Sequence, residues 1–198
     1  MSMCGCECHD SRKSVRQILM DEHRVIERVL SSVHRMLEAD TIDAPFMRKA
    51  LDFFRNFADG CHHAKEEDEL FPRLERAGVP RDGGPIGCML SDHAQGRELL
   101  QTVAANLDAA ESGNADAAAR VRRAAAQYLS MLTQHIQKED NVLFVIAEQV
   151  LCADEKRRML DAFANPDPSG CDHGKHAHYL RLADELENWP FMQCAVQD

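Results

Sequence analysis

The chain has 198 residues, with 23 Lys and Arg against 33 Asp and Glu, a formal net charge of −10. That acidity argues against duplex nucleic acid and anionic membrane surfaces, which both demand a cationic face, and no apolar run reaches the roughly 20 residues of a membrane span. The 44% apolar content can build a core, while the opening MSMCGCECHDSRK lacks the apolar stretch of a secretory signal, so the expectation is a cytoplasmic protein whose eight cysteines are reduced thiols.

Helical signals follow one another along the chain. Ser14 with Gln17 marks a helix start. Val15, Ile18, Leu19, Ile26, Leu30, Val33 and Leu37 then recur at helical spacing to about Ala39. Pro45 suits the first turn of a second helix, which carries Leu51, Phe54, Phe57, Ala58, Leu70 and Leu74 and stops at Gly78. Pro72 removes a backbone donor there and predicts a kink, and Gly60 weakens the middle. After the loop Val79 to Gly84, Pro85 opens a third helix with Met89, Leu90, Leu99, Leu100, Val103 and Leu107, ended by Gly113. Asn114 or Asp116 opens a fourth, running through Tyr128, Leu132, Val142, Leu143 and Ile146. A short helix is expected from Asp154 to Phe163, a break at Asn165 to Gly170, and a last amphipathic helix from about Asp172 to Trp189. No alternating strand pattern occurs. The expected fold is all-α, an antiparallel up-down four-helix bundle over residues 13–151. A Cys-rich tail (1–12) precedes it, and a helical extension (152–198) packs on it.

The second and fourth helices contain a gapless repeat. His62 to Phe71 reads HHAKEEDELF and His135 to Phe144 reads HIQKEDNVLF, so both follow H-x-x-K-E-[ED]-x-x-L-F. The first and third helices match more weakly, each with a histidine after an acid: Glu22-His23 and Asp92-His93. Two helix hairpins related by a pseudo-twofold axis account for the pattern.

Positions i and i+4 share a helix face. His62 with Glu66, and His135 with Glu139, therefore each present an imidazole and a carboxylate together. Tyr128, Met131, Leu132, Val142, Leu143 and Ile146 share the face of His135, which makes that direction inward. His93 shares a face with Met89, Leu90 and Leu100, and His23 with Leu19, Ile26 and Leu30. A lone histidine on an apolar face is ordinarily a core residue, and the charge run Lys65 to Glu69 alone would be a solvated face. Four convergent histidines with two convergent carboxylates are different, because buried carboxylates need a cation or a partner. Imidazole and carboxylate without thiolate suit Fe, Zn, Mn or Cu. Two carboxylates flanked by histidines on both sides suit two metals.

In these motifs the chain resembles the haemerythrin-like (HHE cation-binding) family. The segments that carry the likeness are CHHAKEEDELFPRLE at Cys61 to Glu75, SDHAQGREL at Ser91 to Leu99 and HIQKEDNVLF, within about Val15 to Val150. The resemblance implies a four-helix bundle holding two oxo- or hydroxo-bridged Fe ions, with Zn or Mn as substitutes. It implies His23, His62, Glu66, His93, His135 and Glu139 as ligands, the two glutamates bridging. His63 resembles a position that supplies an extra ligand; a register using His63 with Glu67, or a contribution from His176, is the alternative. The implied function is binding of O2, or NO, for carriage, storage or sensing. A di-iron enzyme turning over peroxide or NO, or donating iron for iron–sulfur repair, is the other reading. E-x-x-H, the ferritin-type spacing, and H-E-x-x-H are both absent.

Several residues stand outside this scheme. Cys4, Cys6, Cys8 and His9 match no standard zinc spacing and read as a tail. His34 lies about 16 Å along the helix from His23 and reads as structural. Cys61 and Cys88 read as small apolar residues. Gly96, one turn after His93, permits close approach of a ligand or a neighbouring helix.

Overall fold

A computed structural model describes residues 13–166 and 171–191. Six helical rods make up the described chain: α1 (Val15–Glu38), α2 (44–76), α3 (Pro85–Glu111), α4 (115–150), α5 (Ala153–Ala164) and α6 (His173–Glu187). The first four form the bundle, and there is no strand among the described residues. Cys4, Cys6, Cys8 and His9 lie outside the described residues, as does part of the break before α6.

The helix ends follow from local chemistry. Ser14 Oγ accepts the Gln17 N–H at 3.1 Å, Asp43 Oδ1 accepts the Phe46 N–H at 3.0 Å, and Asn114 Oδ1 accepts the Ala117 N–H at 3.0 Å. Each satisfies a donor that the first turn leaves free. Gly78 and Gly113 end α2 and the α3–α4 turn with φ of 93° and 89°, a region that glycine enters without penalty. The orphan carbonyls at the end of α1 are taken by Arg122 of α4, which donates to Leu37, Ala39 and Asp40.

Both α2 and α4 are wider than a plain α-helix along part of their length. In α2 the π-type stretches are Phe54–His63 and Glu66–Leu70; in α4 the single one is Glu139–Leu143. In each repeat a π turn therefore begins at the glutamate of the H-x-x-K-E motif. One extra residue in the turn shifts the inward face by about 100°. That corrects one expectation. Val142 does not share the inward face of His135 but is 51% exposed; the buried positions beyond Glu139 are Leu143, Phe144, Ala147 and Leu151. Pro72 stands at the start of the α-helical segment Phe71–Arg76, just past the wide turn, where its missing donor costs little.

The core divides into two clusters. One, built around Ile26, Val33, Phe53, Phe57, Val103, Leu107, Tyr128 and Leu132, also receives Tyr179, Leu182 and Leu186 of α6. The other contains Val15, Leu19, Leu70, Leu74, Ile86, Met89, Leu143 and Met159. Between them a layer of buried histidine and glutamate crosses all four bundle helices. The extension packs on the bundle through α6, which lies along α1 and α2.

The expectation that the cysteines are all thiols is also corrected: Cys61 and Cys171 form a disulfide across 110 residues of sequence, with Cα atoms 4.9 Å apart. The fold lays the start of α6 against α2, and the pair falls within the normal span of a bridge. Cys88 and Cys152 are free and exposed. No helix among the described residues is long and apolar enough to cross a membrane.

Candidate metal centre

The bundle brings all seven residues singled out by the repeat and the resemblance into its polar layer. His23 comes from α1, His62, His63 and Glu66 from α2, His93 from α3, and His135 and Glu139 from α4; all are buried. Their ligand atoms fall into two groups, each with members within 4.8 Å of one another. One is His63, Glu66, His93 and His135; the other is His23, His62, Glu66 and Glu139. Glu66 belongs to both. Its Oε1 lies 3.5 Å from His62 Nε2 and its Oε2 lies 3.5 Å from His93 Nε2. Glu139 Oε2 lies 3.2 Å from the Nε2 atoms of both His23 and His135. Both carboxylates thus stand between the two ends.

Most of the inward-facing atoms lack partners, the exceptions being His93 Nε2 and His135 Nε2, 3.2 Å from each other. His23 Nε2, His62 Nε2, His63 Nε2 and all four oxygens of Glu66 and Glu139 are buried without a hydrogen bond of proper geometry. Leaving that many polar atoms unpaired in a packed interior is costly. Multivalent cations would satisfy them all at once, and a nitrogen and oxygen donor set without thiolate fits Fe, Zn or Mn.

The outward-facing nitrogens have partners. Each of the five imidazoles turns Nδ1 to a carboxylate: His23 to Asp140 at 2.7 Å, His62 to Glu22 at 3.1 Å, His63 to Asp59 at 3.3 Å, His93 to Glu67 at 2.7 Å and His135 to Asp92 at 3.3 Å. A hydrogen on Nδ1 donated outward leaves the Nε2 lone pair facing inward, the tautomer a metal ligand needs.

This outer ring explains the rest of the repeat. On α2, His62 and Lys65 both reach Glu22 of α1, while Glu67 and Phe71 engage His93 of α3, the ring of Phe71 stacked on the imidazole. On α4, His135 and Lys138 both reach Asp92 of α3, while Asp140 and Phe144 engage His23 of α1 in the same way. Every fixed position of H-x-x-K-E-[ED]-x-x-L-F therefore has its counterpart in the other hairpin. The acids Glu22 and Asp92, visible in the sequence as the residue before each histidine, prove to be partners of the opposite histidine in the same hairpin. Arg24 on Asp140 and Arg97 on Asp59 and Glu67 hold the outer acids in place.

In the protein alone the buried groups of the layer shift one another's protonation. Burial and the nearby Glu139 push the Glu66 carboxyl well above its ordinary range. Burial acts on Glu139 too, but His135 and His23 hold it well below that range. For His135, burial opposes the charged form, yet Glu139 and Asp92 outweigh it and raise the imidazole to about 9. Burial, with the neighbouring His23, lowers His62 to about 4. His63 is lowered well below its usual value, chiefly by burial. Two buried carboxylates side by side cannot both stay ionised without positive charge between or beside them.

The alternatives to His63 as an additional inward residue are not met. Glu67 points outward to His93 Nδ1 and Arg97, and His63 pairs with Asp59, four residues before it. His176 does not reach the inner groups; its Nε2 lies 3.2 Å from Glu22 Oε1. His34 is exposed near Glu38. Gly96 admits a helix, since a Cβ there would stand 3.1 Å from Met131 Cε and 3.4 Å from Tyr128. Sequence reasoning missed the outer acids Glu22, Asp59, Asp92 and Asp140 as a functional set. The signal was present in the repeat, whose K and second acid have no role in the inner cluster.

Residues 14–147 match the sequence model of the Hemerythrin HHE cation binding domain. Similar curated proteins include uncharacterized proteins of Mycobacterium bovis and Mycobacterium tuberculosis, each 30% identical over 153 residues that cover 75% of this chain. The chain spans 59% of the length of these relatives. No solved structure matches it.

Proposed function

The chain belongs to the haemerythrin HHE cation-binding family, and from that premise we propose that it holds two iron ions and binds a diatomic ligand, O2 or NO, for carriage, storage or sensing. The observation that carries this reading is the cluster of buried His and Glu ligand atoms converging from four helices, most of them without a hydrogen-bond partner. His63, His93 and His135 would hold one ion, His23 and His62 the other, with Glu66 and Glu139 shared between them. The end with two histidines has one protein ligand fewer and is the natural place for an exogenous ligand.

A bound di-iron(II) pair supplies the two electrons that O2 takes up on binding. The protein's part is to fix and shield. Asp140 and Glu22 orient His23 and His62, while Leu19 and Ile26 exclude water beside them with no exposed surface. The ring of Phe144 lies over His23, centroids 5.5 Å apart. A dry, apolar surround limits proton access and favours release of the ligand unchanged. Zn or Mn would fit the same donors without that redox chemistry.

Anaerobic reconstitution with Fe(II), metal counting and optical spectra through cycles of O2 addition and removal test the reading. Two irons per chain and a reversible visible band support it. One Zn and no uptake of iron would refute it, and sustained consumption of peroxide or NO would assign the site to catalysis instead.

A further inference from the structure

Besides the His63–Asp59 pair, which the second hairpin lacks, the pseudo-twofold pattern of the outer ring is broken at Glu22. Asp92 receives His135 and Lys138. Its counterpart Glu22 receives His62 and Lys65 and, in addition, His176 from α6. The element that delivers His176 is tied down by the Cys61–Cys171 bridge. Cys61 immediately precedes His62 in the chain, and Cys171 lies five residues before His176. The bridge thus closes a ring that passes from Cys61 to His62, through Glu22 to His176, and back along the chain to Cys171.

We propose that the Cys61–Cys171 disulfide is a redox-controlled latch over the two-histidine end of the metal centre, with His176 as its positioning residue. The inference rests on the metal-binding reading above. Packing divides α6 into two halves. Tyr179, Leu182, Ala183 and Leu186 are buried against the bundle, and Arg28 pairs with Asp184 and Glu187. Residues 172–178 are exposed or half-buried. The far half is held by apolar burial, whereas the near half is held by the bridge, the His176–Glu22 contact and the His176 ring against Phe57, centroids 5.3 Å apart.

Opening the latch is a thiol–disulfide exchange. A thiolate of an external dithiol attacks Cys171 Sγ, the half-buried sulfur; Cys61 leaves as thiolate and takes up a proton. The second thiol of the reagent then displaces Cys171. The dithiol loses two electrons and two protons and becomes a disulfide, and both cysteines become thiols. Once the near half of α6 is free, Glu22 loses His176 and becomes open to water, and His62 loses part of what fixes its orientation. Metal exchange at that end should accelerate.

The test uses the full chain loaded with Fe(II) under anaerobic conditions, with the bridge first verified by peptide mass spectrometry. Half the sample is reduced with a phosphine and desalted. Capture of iron by a coloured Fe(II) chelator is followed in both halves, together with amide hydrogen exchange. Loss of an outer partner of a metal ligand typically costs about 10- to 100-fold; here Glu22 stays and loses only His176, so release should quicken on reduction by up to about that factor. Exchange should rise in residues 173–178 and stay constant in 182–187. Cys171→Ser should release fast with or without reductant. His176→Ala should release fast with the bridge intact, and His176→Gln, which keeps a donor, should restore much of the slow rate. Unchanged release and exchange after proven opening of the bridge would overturn the proposal, as would free Cys61 and Cys171 thiols in the air-oxidised protein. If the chain took up no iron, the amide-exchange arm would still decide the latch, so the two readings fail separately.

Discussion

His63 stacks on His93 with ring centroids 3.8 Å apart and planes 15° from parallel. The repeat has no second copy of this pair, because the position matching His63 in the other hairpin is Ile136. The two ends of the cluster therefore differ by one imidazole, and in the proposed reading that difference decides which end would have room for a ligand. Replacing His63 with Ile would make the halves alike. The expected result is weakened metal at the three-histidine end, by at least the roughly 10- to 100-fold that loss of an outer partner costs, with the other end filled normally. Metal titration followed by elemental analysis checks this. Two ions held as tightly as in the parent would exclude His63 as a ligand.

The outer carboxylates should matter almost as much as the inner ones. Asp92→Asn keeps size and shape but removes the charge that holds the Nδ1 hydrogen of His135. Metal affinity is expected to fall about 10- to 100-fold with helix content unchanged. Competition against a chelator gives the affinity, and circular dichroism controls for folding. Glu111→Gln, an exposed pair with Arg48 far from the layer, should leave affinity untouched.

Metal uptake should release protons and strengthen as pH rises. In the metal-free protein His135 is raised to about 9 by Glu139 and Asp92 against the opposing effect of burial, so at pH 7 it carries a proton that must leave. Glu66 is shifted the same way, by burial and Glu139. His62, lowered to about 4, is already neutral. Because a raised folded-state value means the proton competes at all pH below it, apparent affinity should climb between pH 6 and 9 and level off above. Calorimetry in buffers of different ionisation enthalpy counts the protons. Affinity independent of pH over that window would contradict the picture.

Chelation should destabilise the fold without unfolding it, since two apolar clusters flank the polar layer. At metal concentrations about 100 times Kd, binding contributes about 2.7 kcal/mol, which for a chain of this size is about 5 to 11 °C in Tm. Glu66→Gln separates the two states. The metal-free variant should melt close to the parent, because Glu66 is held protonated there by burial and Glu139. The rise on adding metal should shrink to a small fraction. A large loss in the metal-free variant would mean that Glu66 is ionised in the absence of metal.

Much of this arrangement was legible in the chain. The four bundle helices and the seven inner residues follow from the periodicity, the H-x-x-K-E repeat and the family likeness. The long-range partners were not. Nothing local connects Glu22 with His176, 154 residues away, or Cys61 with Cys171; both depend on where α6 docks. The wide turns were missed because a helical wheel assumes constant pitch. The pattern held no clue, because counted from Glu139 the apolar residues Val142, Leu143 and Ile146 lie at steps of three, four and seven and fit a regular α-helix, while Leu143, Phe144 and Ala147 at four, five and eight fit the wide turn equally well.

That shift of register gives the last prediction. A regular α-helix would place Val142 on the face of His135, and a lysine there would bury a charge. The π turn at Glu139–Leu143 places Val142 in solvent, 51% exposed, and Leu143 in the core, 1% exposed. Val142→Lys is therefore expected to change stability by no more than about 0.5 kcal/mol, as for an ordinary surface site. Leu143→Lys should cost more than about 4 kcal/mol, the range reached by an unpaired buried charge. Chemical denaturation of the metal-free variants compares the two directly, free of any effect through the metal. If Val142→Lys were the damaging change and Leu143→Lys the mild one, the helix would be regular and the turn at Glu139 would not exist. The two outcomes reverse the order of cost at adjacent residues, so a modest error in either value cannot blur them.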